Sequence, residues 1–445
     1  MIDLTQGNEG KQILRFAVPM LLGNLFQQLY NIVDSAVIGQ FVGTEALAAV
    51  GASFPLIFVL ISLIIGLASG STIIISQYYG AKEIDNVKKT IETMFIYLFF
   101  ASIAVSIIGI SLSGPIFKLI DIPADVMPQA KIYFNIYIGG IVLLFGFNGT
   151  AAILRGLGDS KTPLYFMMIA TIMNIGLDLL FILVFKWGVV GAAVATLISQ
   201  GGAFITSIIY LNRTHDIFQL TVSKLRFDRD IFKKSMRIGL PSGFQQTFVA
   251  LGMLALLKIV NIYGTTTLAA YTVAGRIDMF AALPAMNFAA ALSAFVGQNM
   301  GANKIERVRN GYRATLMLSS GISIAVTILV VIFGESLMRL FSQNPDVVST
   351  GVEYLVIVSS FYIIFSFMFV NNAVLRGAGD TIVPMIITLL ALWVVRVPAS
   401  YLLSLKYGEI GIWWGVPAAW LVGAVMSYIY YKSGKWKNKG VVQHN

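Results

Sequence analysis

Leu154-Arg155-Gly156-Leu157-Gly158-Asp159-Ser160-Lys161-Thr162-Pro163 returns 221 residues later as Leu375-Arg376-Gly377-Ala378-Gly379-Asp380-Thr381-Ile382-Val383-Pro384. The same offset carries Leu47-Ala48-Ala49 onto Leu268-Ala269-Ala270, and Gln77 and Gly80-Ala81 onto Gln298 and Gly301-Ala302. An offset held constant from position 47 to position 163 marks a duplicated unit. Within the repeated element, two glycines permit a left-handed helix C-cap, and the Asp and Pro start the next helix. A Gly-rich phosphate cradle is the alternative, but the spacing matches no nucleotide fingerprint.

Composition says what is duplicated. Hydrophobic residues make up 57% of the chain and charged residues 12%, against roughly 25% charged in a soluble domain. Twelve long apolar runs recur, at 13–39, 52–77, 91–113, 131–153, 164–185, 189–211, 239–262, 277–300, 313–334, 352–374, 382–404 and 410–431. They are continuous and lack period-2 alternation, so they read as membrane-crossing helices rather than strands. The expected fold is an all-α polytopic membrane protein of twelve transmembrane helices. It forms two six-helix lobes, and because six is even, the lobes are related by a pseudo-twofold axis along the membrane normal. The expected domains are a first lobe at 1–211, a basic linker at 212–237, and a second lobe with a basic tail at 238–445.

The net charge of +10 does not describe a nucleic-acid surface, because the basic residues are sorted by side. With the N-terminus in the cytoplasm, 23 of the 31 Lys and Arg fall on inner segments and only Lys118, Lys131, Lys186, Arg339 and Lys406 on outer loops. The positive-inside rule then puts both termini in the cytoplasm and the chain in the plasma membrane. The first apolar segment is too long for a signal-peptide core and reads as a retained span. There is no cysteine, and the only histidines are His215 and His444, in the linker and tail. A membrane-embedded Cys or His metal site is therefore excluded, and with it the commonest routes to an intramembrane enzyme. No cofactor is expected.

An ionisable side chain at bilayer depth costs at least about 2.5–3.5 kcal/mol, so each one needs a reason. In the first half only Asp34, on span 1, and Asp178, on span 5, sit well inside spans. Both lie about 9–12 Å below the outer helix end. Asn174 is one turn before Asp178, and Thr196 on span 6 stands near the same level. Two neighbouring carboxyls in a low-dielectric site share a proton or hold a hard cation such as Na⁺ between them. Either arrangement makes a coupling-ion site; the alternative is that each acid joins a neighbouring helix by hydrogen bonds. The second half has bases instead. Lys258 and Arg396 lie within or beside spans, Arg276 and Asp278 stand at the outer start of span 8, and Asp278 either neutralises one of these bases or joins them in a polar wall for a ligand carrying some negative charge. Pro19 in span 1 frees a backbone carbonyl and permits a bend, and Pro241 matches it to within one residue of the repeat.

These features together resemble the multidrug and toxic compound extrusion (MATE) transporters of bacterial type, over residues 10–435. The resemblance is carried by the two six-helix halves, Asn31-Ile32-Val33-Asp34, Gly80-Ala81, Val296-Gly297-Gln298-Asn299-Met300-Gly301-Ala302, and the paired Arg-Gly-x-Gly-Asp turns. It implies a secondary antiporter that expels organic cations in exchange for H⁺ or Na⁺. In that family, an ion site on the first lobe matches Asp34, Asn174, Asp178 and Thr196, and a bending proline matches Pro19. One branch carries a Glu on helix 7, and here that region reads Phe248-Val249-Ala250. The resemblance extends to a wider superfamily with lipid-linked oligosaccharide flippases, which makes a lipid-linked or anionic amphipath the rival substrate. Tyr30, Tyr133, Tyr137 and Phe147 are candidates to line a cleft for a small amphipathic cation, or they are packing residues. The protein is expected to act as a monomer in the bilayer.

Overall fold

The computed structural model describes residues 2–119, 122–214, 217 and 225–442. His215, His444 and part of the expected linker, Lys224 included, lie outside the described residues. Among the described residues every regular element is a helix. The long helices come in matched pairs, one per copy of the repeat. α1 (Glu9–Phe41) and α8 (Arg229–Asn261) each have 33 residues. α2 (Thr44–Gly80) and α9 (Thr265–Gly301) each have 37. α3 (Ile84–Leu119) and α10 (Ile305–Arg339) have 36 and 35.

Two expected spans prove to be broken. Residues 131–153 belong to α4 (Met127–Gly139) and α5 (Ile141–Gly156), which meet at 49°. Residues 352–374 belong to α11 (Pro345–Ser359) and α12 (Tyr362–Gly377), again at 49°. The break at Gly140 lets α4 and α5 close on Leu197, whose side chain occupies the place of a Cβ there. Counting each bent pair as one span, up to eleven helices among the described residues are long and apolar enough to cross a membrane. The expected twelfth, α1, is long enough but carries Asn24, Gln27, Gln28, Asn31 and Asp34.

The spans after the repeated turn are regular at first. α6 (Lys161–Asp178) passes into a π-helical segment (Leu179–Val184), followed by α7 (Val189–Thr214). In the second copy α13 (Ile382–Leu389) passes into a π-helical segment (Leu390–Arg396), then α14 (Val397–Tyr407) and α15 (Glu409–Ser433). The turn itself is conserved in geometry between copies. Gly158 and Gly379 take φ of 83° and 95°, the left-handed region that glycine enters at no steric cost. Asp159 N donates to Leu154 O at 2.8 Å and Asp380 N to Leu375 O at 2.9 Å. The Asp159 carboxylate then accepts from Lys161 N and Thr162 N, both at 3.0 Å, and so caps α6. Asp380 instead accepts from the Tyr430 hydroxyl at 2.6 Å.

The chain divides into two compact units. One unit is built on Pro19–Gly243; the other takes Asp3–Val18 and Phe244–Asn445. The division therefore falls inside α1 and inside α8, and each copy of the repeat lends its leading segment to the other unit. Packing explains the exchange. In the first unit, Gly66 and Gly70 of α2 meet Gly243 and Gly239 of α8 backbone to backbone, with no room for a Cβ at either pair. Both helices carry glycines four apart, the spacing that lets helices approach closely. Arg226 N and Asp228 N are also tethered to Glu92 and Thr93 of α3 at 3.0 and 3.1 Å. In the second unit, Leu4 N donates to Gln298 Oε1 at 3.0 Å, and Lys304 Nζ donates to Thr5 O at 2.8 Å. Arg307 donates to Gly7 O at 2.8 Å and pairs with Glu9 at 3.3 Å.

Candidate functional site: a two-carboxyl cluster and its charged counterpart

The first unit buries four polar side chains from three helices in one place. Asp34 of α1 is 7% exposed, Asp178 of α6 0%, Asn174 1% and Thr196 of α7 2%. Asn174 and Asp178 are one turn apart on α6 and so share a face. The Asn174 amide donates to Asp178 Oδ2 at 2.9 Å, and its oxygen accepts from Thr196 N at 3.3 Å. The Tyr30 hydroxyl lies 2.6 Å from Thr196 Oγ1. The Asp34 and Asp178 carboxyls are within hydrogen-bonding reach of each other. One oxygen of each, Asp34 Oδ1 and Asp178 Oδ1, is buried with no hydrogen-bond partner among the described residues.

Asp178 is the last α-helical residue before the π segment begins. A π turn shifts the register of the helix and is a recurrent feature of functional sites. Pro19 lies inside α1, buried, about four turns before Asp34. Tyr30, Tyr133 and Tyr137 all stand within electrostatic reach of Asp34, and the Tyr133 and Tyr137 rings are 6.1 Å apart. Phe147 is elsewhere. It packs with Met167, Ala170 and Ala203 in the contact of α5 with α6 and α7, and is core rather than lining.

In the second unit, Asp278 is not at the outer start of a span, as the sequence suggested. α9 begins at Thr265, which puts Asp278 about 20 Å into the helix. Its carboxylate accepts from the Tyr362 hydroxyl at 2.6 Å and from the Tyr354 hydroxyl at 3.4 Å. Arg396, the last residue of the second π segment, is within electrostatic reach of Asp278, but no ion pair joins them among the described residues. Lys258 and Arg276 are exposed and are not part of this group.

The tyrosines at Asp278 went unnoticed in the sequence, although a signal for one was present. Tyr354 stands 221 residues after Tyr133, so the repeat places a tyrosine beside an acid in both halves.

The chain's likenesses agree with this architecture. A family model, MatE, matches residues 19–180 and again 241–402, once per copy of the repeat. A probable multidrug resistance protein of Bacillus subtilis, YpnP, is 33% identical over 98% of this chain and 97% of its own. The probable multidrug resistance protein NorM of Thermotoga maritima is 27% identical over 97% of this chain and 94% of its own. Among solved structures, an outward-facing multidrug resistance MATE family transporter of the MOP superfamily superposes with a TM-score of 0.91, at 25% identity and with 97% of each chain covered. A MOP superfamily transporter from Pyrococcus furiosus, described as having a binding pocket of reverse polarity, gives the same score, identity and coverage. Matched in both halves and along nearly its whole length, the chain belongs to the MatE family of multidrug transporters.

Proposed function

We propose that this multi-pass membrane transporter is a secondary antiporter, exporting amphipathic organic cations in exchange for H⁺ or Na⁺ by alternating access. The observation that supports this reading is the buried Asp34–Asp178 pair, with one open oxygen on each acid. A carboxylate in a low-dielectric site requires a compensating positive charge or donor. Two carboxyls, one amide and one hydroxyl form a donor set for a proton or a monovalent cation. An entering ion and a departing cationic substrate then compete to neutralise the same acids. That competition is a coupling free energy, typically about 1–3 kcal/mol between linked sites. Tyr30, Tyr133 and Tyr137 add aromatic faces beside the acids, each worth about 0.5–2 kcal/mol to a cation that reaches it. The protein works in the plasma membrane with both termini cytoplasmic, on the strength of its Lys and Arg distribution.

The test is ethidium efflux from proteoliposomes under an imposed proton gradient, then under an imposed sodium gradient. One of the two gradients should drive accumulation against the ethidium gradient. Equal flux with neither gradient would overturn the reading.

A second reading, a flippase for a lipid-linked anionic headgroup, draws on Arg396. Asp278, within electrostatic reach of that base, counts against a purely anionic ligand there.

A further inference from the structure

The last two spans of the second unit leave an apolar groove on their exposed surface. α14 and α15 join across Gly408, whose φ of 63° is left-handed. Beyond the turn they are in close contact, because a Cβ on Gly411 would meet the Leu403 carbonyl. Leu403 and Gly411 form a floor, and Tyr407, Trp414 and Leu421 stand exposed around it. Phe361, in the break between α11 and α12, closes one side and meets the Trp414 ring edge-on at 5.7 Å. The groove holds about 600 Å³, and among the described residues no charged side chain lines it.

Its length is that of one leaflet. From Ile410 to Leu421 the groove runs about 16 Å along α15, and half of a bilayer's hydrocarbon core is about 15 Å. The helical stretches on both sides of Gly408 are long and apolar enough to cross a membrane, so the groove faces lipid. Left empty, its lining would forfeit dispersion contacts, and water finds no polar partners in it. An acyl chain fills it.

A cation stands at the mouth. Lys406 is exposed, with its Nζ 5.1 Å from the centre of the Tyr407 ring. The acid closest to it in sequence, Glu409, accepts from the Thr267 and Thr350 hydroxyls, and Lys406 makes no ion pair among the described residues. The first copy of the repeat fills the corresponding place. There the Leu197 side chain presses on Gly140. The residues 221 further on are Ala418 and Phe361, and both line the groove. The groove is therefore particular to the second copy and no by-product of the duplication.

We propose that this groove binds an anionic phospholipid, with one acyl chain against Phe361, Trp414 and Leu421 and the phosphate on Lys406. A zwitterionic headgroup carries its own cation beside the phosphate and gains less from the lysine. The lipid acts as a resident ligand of the second unit, apart from the two-carboxyl cluster of the first.

The test is native mass spectrometry of purified full-length protein from micelles holding phosphatidylglycerol and phosphatidylcholine in equal amounts. Wild-type protein should retain phosphatidylglycerol over phosphatidylcholine by about fivefold, the effect of one lysine near an anionic headgroup. Lys406→Gln should bring the ratio to about one, and Lys406→Arg should preserve it. Lys186 stands at the matching turn of the first copy, two residues before Gly188, and Lys186→Gln should leave the ratio unchanged. Ala418→Leu introduces the side chain that the first copy uses and should cut retention of both lipids about fourfold or more, the effect of one buried CH₂. Ala418→Val serves if that variant does not fold. No preference in the wild type, an equal loss of preference in Lys186→Gln, or unchanged retention in a folded Ala418 variant overturns the proposal. Displacement of the lipid by ethidium would assign the groove to a substrate instead and overturn it as well. No ion gradient enters the measurement, so its outcome is independent of the antiport reading.

Discussion

Asn174 and Asp178 lie one helical turn apart on α6, and the amide of the first donates to the carboxylate of the second at 2.9 Å. The same amide accepts from Thr196 N on the next helix, so Asp178 is oriented by two helices before any ion arrives. Asp34 reaches it from a third.

If the two acids share the coupling ion, removing one charge uncouples transport without unfolding the protein. Asp34→Asn is expected to reduce gradient-driven ethidium efflux by about 100-fold, near the upper end of typical coupling energies, and Asp178→Asn by about tenfold or more. Both proteins should elute as folded species. Gradient-driven efflux at the wild-type rate from correctly inserted Asp34→Asn would sink the assignment.

Pro19 makes the opposite demand on stability and function. A proline inside a helix costs about 3 kcal/mol relative to alanine, and Pro19→Ala restores an amide to α1. The variant should therefore melt no lower than wild type while its ion-driven efflux falls. The distinguishing measurement is a thermal melt beside a transport assay on one preparation. A lower melting temperature with normal coupling would make the proline a packing residue.

The repeated turn predicts matched defects at matched glycines. A Cβ on Gly156 would meet Ile75 at 2.9 Å and Thr72 O at 3.0 Å. A Cβ on Gly377 would meet Ser293 O and Val296, the residues 221 further on. Gly156→Ala and Gly377→Ala should each destabilise by about 1–3 kcal/mol, the usual range for overpacking. Gly321→Ala, with nothing within 4 Å of the new methyl group, should be neutral or stabilising. Detergent unfolding curves on the three variants decide this.

Asp3 carries a pH dependence with a definite sign. Partial burial raises its carboxyl, but the hydrogen bonds from Thr5, the charge of Lys304 and the bond from Gln6 outweigh it and hold the group below the ordinary carboxylate range. A depressed group contributes stability above its unfolded value, about pH 4, and loses it as pH falls through the folded value. A spin label near Thr5 should stay immobile from neutral pH down to about pH 4 and gain mobility below it. Asp3→Asn should show no such acid transition. An unchanged transition in that variant would assign the effect to another acid.

Some of this was legible in the sequence, because long-range identity and burial leave marks there. The offset of 221 announced the duplication, and it reappears in the matched helix lengths and in the paired glycine contacts. The depth of Asp34, Asn174, Asp178 and Thr196 followed from counting residues along regular helices. What stayed hidden depends on contacts between distant segments. Gly140 in an apolar run gives no warning that Leu197 will press against it. Asp278 was misplaced because α9 begins twelve residues before the apolar run does. The π segments sit at different points in the two copies, so the repeat gave no guide to either. The glycines at 66, 70, 239 and 243 were visible as letters, but their partnership lies in the packing of α2 on α8.

The exchange of leading segments between the two compact units constrains how the protein is made. Leu4 leaves the ribosome 294 residues before Gln298, its hydrogen-bond partner. At about 5–20 residues per second, that is a wait of roughly 15–60 s. The first unit is likewise unfinished until Gly239 and Gly243 arrive to meet Gly70 and Gly66. Neither half can mature alone as it emerges, and a chain severed anywhere in 212–237 would leave each fragment holding the other's missing piece. The ancestral duplication has become a single translation product whose first words are read last.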